Sequence, residues 1–187
     1  MSERPDRAVG IGHGGAAAPS DWVVRFAPMI PAGGQVLDLA CGGGRHARYL
    51  LARGYPVTAL DRDIGDVADL AGAAELIQAD LEDGGPYPLS GRLFAGIVVT
   101  NYLYRPLLPL LVAGIGPGGL LIYETFSEGN ERFGKPSNPA FLLRHGELLE
   151  AVGGLLRVLA YEDLTVERPR PAALQRIAAI RPAEPGE

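Results

Sequence analysis

A single cysteine, Cys41, stands among 187 residues, which excludes an intrachain disulfide and a cysteine-built metal cluster. Basic residues are in the minority, 17 Lys and Arg against 22 Asp and Glu, for a net charge of −5. A broad grip on nucleic acid needs clustered Lys and Arg, so this balance weighs against that partner without excluding a local basic patch. No apolar run approaches the ~20 residues of a membrane span, and the first twenty residues lack the apolar core of a signal peptide. His13, His46 and His145 show no metal-ligand spacing, so no metal is expected. A cytoplasmic protein without membrane attachment is the expectation. Its oligomeric state is left open.

What is present is an ordinary globular composition, 47% hydrophobic and 21% charged, at a length suited to one α/β domain. Residues 1–19 are Gly, Ala, Pro and charge without a period and read as a disordered lead-in, followed by one domain over 20–187. Ser20 or Asp21 caps a short helix, DWVVRFAPMI, which ends at Pro31, Gly33 and Gly34. Buried strands and helices then alternate. Strands are expected at 36–40, 57–61, 76–80, 94–103 and 120–126, with helices at 45–54, 107–115 and 141–153. Two closing strands at 156–166 and 174–182 have no helix between them. Pro169 and Pro171 in their connection suit a hairpin, so the last strand should run antiparallel. The expected fold is a Rossmann-like, doubly wound α/β sheet of about seven strands, mostly parallel, with helices on both faces. Residues 127–139, SEGNERFGKPSNP, form a loop of a length that is usually functional or disordered.

The central motif is VLDLACGGGRHA, a buried strand feeding a glycine turn that feeds a helix. Gly42, Gly43 and Gly44 have no Cβ, so the chain can turn tightly and a ligand can approach its backbone. The helix from Arg45 offers unpaired N–H groups. Asp61 ends the next strand, where a doubly wound sheet sets a carboxylate beside the turn at the reach of a ribose diol. A bare tight connection is the alternative for the glycines taken alone. GGGRHA also fits the relaxed dinucleotide fingerprint. Asp38, inside the first strand, argues against a pyrophosphate, because each like-charge pair at about 6 Å costs roughly 3 kcal/mol at an effective dielectric near 20. S-adenosylmethionine suits these groups better, with its ammonium near Asp38, its carboxylate near the helix, its ribose near Asp61 and no phosphate. The alternative for Asp38 is a structural acid that caps a neighbouring loop.

The stretch VLDLACGGGRHARYLLARGYPVTALDRD resembles motif I and the following acidic strand of class I S-adenosylmethionine-dependent methyltransferases. Asp38, Gly42 and Gly44 match the motif, and Ala40 replaces its first glycine, a departure expected to cost little. Cys41 completes the turn, as a small turn residue more than a nucleophile, although the helix N-terminus beside it could lower its pKa. The resemblance implies that Asp61 binds the ribose and Arg62 lies along the adenine. It implies further that Ala79, Asp80 and Leu81 frame the adenine, and that Thr100 and Asn101 lie near the sulfonium. DLACGGGR, TNYLYRPLL and YETFSEGNERFGKPSNPAFLL together resemble the bacterial tellurite-resistance-like methyltransferases.

Methyl transfer from a sulfonium is an in-line displacement, which needs alignment and exclusion of water more than a covalent intermediate. The acceptor should enter over the carboxyl ends of the fourth and fifth strands. Glu124 is the first candidate for a polar contact or proton acceptor, with a group that orients backbone or Arg132 as its alternative. Tyr102 is either a wall around the methyl or packing against Leu107 and Leu108. Tyr104, Arg132 and Lys135 are candidates for holding a small, anionic acceptor, and solvated loop charge is the alternative for the last two. The expected function is methyl transfer to a small or anionic molecule. Competing readings are methylation of RNA or protein, a non-catalytic cofactor-binding subunit, and an NAD-dependent oxidoreductase.

Overall fold

The computed structural model describes residues 17–183; most of the expected lead-in, with His13, lies outside them. Seven strands form one sheet: β1 (Val36–Leu39), β2 (Val57–Asp61), β3 (Glu75–Gln78), β4 (Phe94–Thr100), β5 (Ile115–Phe126), β6 (Arg157–Val166) and β7 (Ala172–Ile180). Their order is β3-β2-β1-β4-β5-β7-β6. The pairs from β3 to β5 are parallel, whereas β7 runs antiparallel to both neighbours. The last strand of the chain is therefore inserted inside the sheet and β6 is left at the edge. All four residues of β1 are buried, the pattern of a strand covered on both faces.

Four short helices do the covering: α1 (Asp21–Phe26), α2 (Arg45–Ala52), α3 (Leu108–Ala113) and α4 (Glu147–Val152). On one face Trp22, Phe26, Ala47 and Leu50 from α1 and α2 pack with Val67 and Leu70 against the strands. On the other, Leu111 and Val112 of α3 meet Leu148 and Val152 of α4. Ser20 caps α1, its hydroxyl accepting the Trp22 N–H at 3.1 Å, and the Trp22 indole donates across the sheet to the Ile177 carbonyl.

Three elements differ from expectation. The apolar run 141–153 is helical only from Glu147. Leu142 and Leu143 are buried and extended, and Leu143 exchanges backbone hydrogen bonds with Phe126 and Glu128. Tertiary pairing here overrides the helical period, and Gly146, at φ +77°, starts the helix afresh. His145 consequently sits in a turn, not on a helix face. The helix expected over 107–115 is a 3₁₀ turn, Arg105–Leu107, followed by α3, and Ile115 already belongs to β5. GPGG is not a terminating turn but an irregularity inside β5, where the pairing with β4 steps from Phe94↔Ile115 to Gly96↔Leu120. A Cβ on Gly119 would lie 2.8 Å from two carbonyl oxygens, so only glycine fits.

Candidate active site

The glycine turn sits where the strand order reverses, between β1, which continues to β2, and β4. This is the place where open α/β sheets leave a crevice for ligands. Three residues of the turn adopt left-handed backbone: Ala40 (φ +54°), Gly42 (φ +51°) and Gly44 (φ +72°). Gly42 and Gly43 face open space for at least 4 Å in the Cβ direction, while a Cβ on Gly44 would lie 2.5 Å from Val67. The first two glycines leave the backbone approachable, and the third lets α2 pack closely. Asp61 stands beside the turn as expected. Its Oδ2 accepts the Gly42 N–H at 2.8 Å and its Oδ1 the Asp63 N–H at 3.1 Å.

Ala40 corrects one expectation. Its left-handed backbone costs a non-glycine residue roughly 1–3 kcal/mol, so the departure from glycine is not cheap. Ala40→Gly should therefore stabilise the protein by about 1 kcal/mol after the extra unfolded-state entropy of glycine is deducted; chemical denaturation of both forms checks this. Asn101, directly after β4, has the same φ of +54°. Two strained residues thus flank the crevice at the ends of adjacent strands, and such strain concentrates at functional sites.

Beneath the turn the structure buries three polar side chains. Asp38, 1% exposed, accepts the Ala47 N–H in the first turn of α2 at 2.8 Å through Oδ2, a bond to a helix and not to a neighbouring loop. Oδ1 has no hydrogen bond among the described residues. Burial pushes the Asp38 carboxyl up to about 7, against the lowering effects of the Ala47 bond and Arg45. Cys41 is likewise buried; desolvation, with Asp38 and Asp61, raises its thiol well above the ordinary range, so burial outweighs any lowering by the helix N-terminus. Because the carboxyl of Asp38 holds its proton more tightly folded than unfolded, its contribution to stability is complete near pH 4 and is lost as pH rises towards 7. Asp38→Asn is expected to raise the melting temperature of the ligand-free protein at pH 8 and to leave it nearly unchanged at pH 4. Calorimetry at the two pH values checks it.

His46, 2% exposed, is a junction that sequence reasoning set aside. Its Nε2 accepts the Ser20 N–H at 3.1 Å and its Nδ1 lies 3.4 Å from the Thr100 hydroxyl. Burial, helped by Arg45, lowers its pKa to about 3 and keeps the ring neutral. Ser20 reaches further: its hydroxyl donates to Glu124 Oε1 at 2.8 Å. Glu124 Oε2 in turn lies 2.6 Å from Arg176 Nε, and Arg176 also meets Glu162 at 3.3 Å. Glu124 is thus engaged at both oxygens on the α1 side of the sheet, by Ser20 and by Arg176 and not by Arg132, the arrangement of a structural group more than of a free proton acceptor. The signal for Arg176 was in the sequence, a lone charge inside the apolar strand LQRIAAI, and that charge needs a buried partner.

The other candidates divide by location. Ala79 is tied to the end of β2 through its N–H to the Asp61 carbonyl at 2.9 Å. Asp80 is exposed and accepts the Glu82 N–H, Leu81 is half-buried, and Arg62 is exposed beside Asp61. Tyr102 packs on the α3–α4 core, and its carbonyl accepts the Tyr123 hydroxyl at 2.8 Å. Burial and the neighbouring Glu82 carboxylate raise its phenol well above the ordinary range, so it cannot serve as a base near neutral pH. Tyr104 also packs on that core. Arg105, not singled out from the sequence, clamps the loop after β5: it makes a two-pronged contact with Glu147 (2.7 and 3.0 Å) and donates to the carbonyls of Ala140 and Leu142. Arg132 does not join Tyr104; it lines a separate cavity bounded by β6 and β7. Lys135 is exposed on the same loop.

A family model described as "Tellurite resistance protein TehB" matches residues 20–82, the segment that carries the capped helix, the glycine turn, Asp61 and β3. TehB from Haemophilus influenzae superposes with a TM-score of 0.64 at 21% identity over 86% of this chain. The chain resembles the TehB group of class I methyltransferases. It spans 61% of the length of that Haemophilus protein. A TehB-like SAM-dependent methyltransferase from Corynebacterium glutamicum gives a TM-score of 0.62 at 20% identity, covering 86% of each chain. A Burkholderia thailandensis 1,6-didemethyltoxoflavin-N1-methyltransferase, solved with S-adenosylhomocysteine, gives 0.62 at 18% identity over 86% of this chain and 76% of its own. These likenesses establish the methyltransferase fold. No curated protein sequence matches. Among the described residues no helix is long and apolar enough to cross a membrane.

Proposed function

We propose that this protein is an S-adenosylmethionine-dependent methyltransferase whose acceptor is a small molecule. The observation that carries the reading is the pairing of an approachable glycine turn with Asp61, at the strand-order reversal of a methyltransferase fold. The residues fit the cofactor. Gly42 and Gly43 leave room against the backbone, Asp61 offers a carboxylate to a ribose diol, and Asp38 offers Oδ1 to an ammonium. Arg62, Ala79, Asp80 and Leu81 follow β2 and β3 at the expected adenine end, and Cys41 and Ala40 form the turn itself. Thr100, held by His46, and Asn101 stand at the end of β4 beside the expected sulfonium. When bound, the cofactor supplies an electrophilic methyl group.

The work of the chain is alignment. Glu124 is neutralised by Arg176 and the phenol of Tyr102 keeps its proton, so neither acts as a base. Tyr102 and Tyr104 instead wall the acceptor side of the crevice and exclude water, and the acceptor brings its own nucleophile. The net charge of −5 and the small-molecule acceptor named for the Burkholderia protein support an acceptor of that size. The test is calorimetric titration with S-adenosylmethionine and S-adenosylhomocysteine. Saturable binding of both is expected; no heat at several hundred micromolar overturns the reading.

A further inference from the structure

At the carboxyl ends of β5 and β6, beside the start of β7, lies a cavity of about 280 Å³ lined by Ser127, Glu128, Arg132, His145, Asp163 and Thr165. It is distinct from the glycine turn. Asp163 pairs across β7 (Gln175) with Thr125, the residue after Glu124, and Glu124 pairs with Thr100. Asp163 is thus three strands from β4, roughly 14 Å at ~4.8 Å per strand.

The polar groups there are organised but incompletely used. Asp163 Oδ2 takes three donors, His145 Nδ1 at 2.9 Å, Gln175 Nε2 at 3.2 Å and the Tyr161 hydroxyl at 3.3 Å. Its Oδ1 takes none among the described residues, and the side chain is 20% exposed. Gln175, fully buried, is itself anchored by the Leu148 N–H and the Arg144 carbonyl, so the carboxylate is fixed in orientation. Ser127 is 1% exposed. Its N–H goes to the Ala173 carbonyl, and its hydroxyl has no partner among the described residues. Arg132 lines the cavity with its guanidinium 5.6 Å from the Phe133 ring; it spends Nε on the Gly129 carbonyl at 3.1 Å, and its terminal nitrogens have no hydrogen-bond partner among the described residues. The hydrogen bond to Asp163 raises the pKa of His145, favouring its cationic form, and its Nε2 is free to donate.

The wall therefore carries both signs: Arg132 and His145 against Asp163 and Glu128. A simple anion would meet two carboxylates, and a simple cation would meet a guanidinium and an imidazolium. A molecule with both charges a few bonds apart satisfies each side. We propose that this cavity binds a small zwitterion with an α-amino acid head group. Its carboxylate faces Arg132 and His145, its ammonium meets Asp163 Oδ1, and the Ser127 hydroxyl serves either end. The proposal uses no residue of the glycine turn and stands independently of methyl transfer.

The experiment titrates the full chain with glycine, L-alanine, L-serine and L-methionine, and with acetate and methylammonium as single-charge controls, following backbone amide shifts at Ser127, Gly129 and Ala173. At least one amino acid should saturate at millimolar concentration or below, with both controls at least tenfold weaker. Asp163→Asn, and separately Arg132→Ala with its exposed side chain, should each weaken that amino acid at least fivefold while S-adenosylhomocysteine binding stays as in the parent. The proposal is overturned if no amino acid saturates by tens of millimolar, if acetate or methylammonium binds as tightly, or if neither variant weakens binding.

Discussion

Asp61→Ala is expected to weaken S-adenosylhomocysteine binding by roughly 100-fold or more while the protein remains folded. Charged hydrogen bonds contribute about 1.5–3 kcal/mol each, and a ribose diol engages the carboxylate twice. The same carboxylate holds the Gly42 and Asp63 N–H groups, so the variant also loosens the turn and loses about 1–2 kcal/mol of stability. Asp61→Asn separates the two effects. It keeps one acceptor for the backbone but removes the charge and offers a donor in place of the second acceptor, so affinity should fall further than stability. Titration calorimetry and thermal unfolding of the three proteins measure both quantities. Unchanged affinity in Asp61→Ala, in a folded protein, would refute the ribose assignment.

The second large effect concerns the ion pair inside the sheet. Glu124→Ala is the milder change, because Arg176 keeps Glu162 at 3.3 Å; Arg176→Ala leaves the Glu124 carboxylate, whose side chain is 10% exposed, without its cation, and breaking such a pair costs about 3 kcal/mol or more. At roughly 2–4 °C per kcal/mol for a chain of this size, the melting temperature should drop by about 6–12 °C. Removing both charges together, as in Glu124→Gln with Arg176→Met, should recover most of the loss, since the carboxylate then left without Arg176 is Glu162, whose side chain is 32% exposed and better solvated. The same variants decide what Glu124 does. A proton acceptor would imprint its titration on the pH–rate profile, whereas an ion-pair member held by Arg176 and Ser20 should leave that profile unchanged in the double variant. A melting temperature within about 2 °C of the parent for both single variants would show that the pair is not structurally important.

Much of this architecture can be read along the chain because its signals are local. The run VLDLA reads as a buried strand from its length and its flanking turn, and Val36–Leu39 form one, with Ala40 already in the turn. Asp61 was placed beside the glycines from strand–helix alternation alone, since a parallel unit brings the ends of adjacent strands together. Misreadings occur where local pattern and distant pairing compete. FLLRHGELLEAVG has helical spacing throughout, yet its first part pairs with the end of β5 because Leu142 and Leu143 bury there. GPGG reads as a stop signal and is instead absorbed within a strand.

The polar side chains divide in the same way. Glu124 reads from sequence as an acid at the mouth of the crevice, because strand position alone does not tell which face its side chain takes or what stands opposite. Its partner, Arg176, is 52 residues away and becomes a neighbour only when β7 inserts beside β5. Ser20, a helix cap by sequence, also joins His46 to Glu124 because α1 packs on the same face of the sheet as α2. Arg132 and Tyr104 read from sequence as neighbours because both follow the carboxyl ends of the fourth and fifth strands, yet Arg132 lies towards β6, on the loop that Arg105 clamps.

Residue order alone settled the class of fold, the position of the glycine turn and the acid beside it, since these depend on spacing within one strand–turn–helix–strand unit. Folding in three dimensions decided which carboxylates are free to meet a ligand and which are already neutralised. That outcome depends on burial and on partners supplied by strands distant in sequence, and no local pattern encodes it.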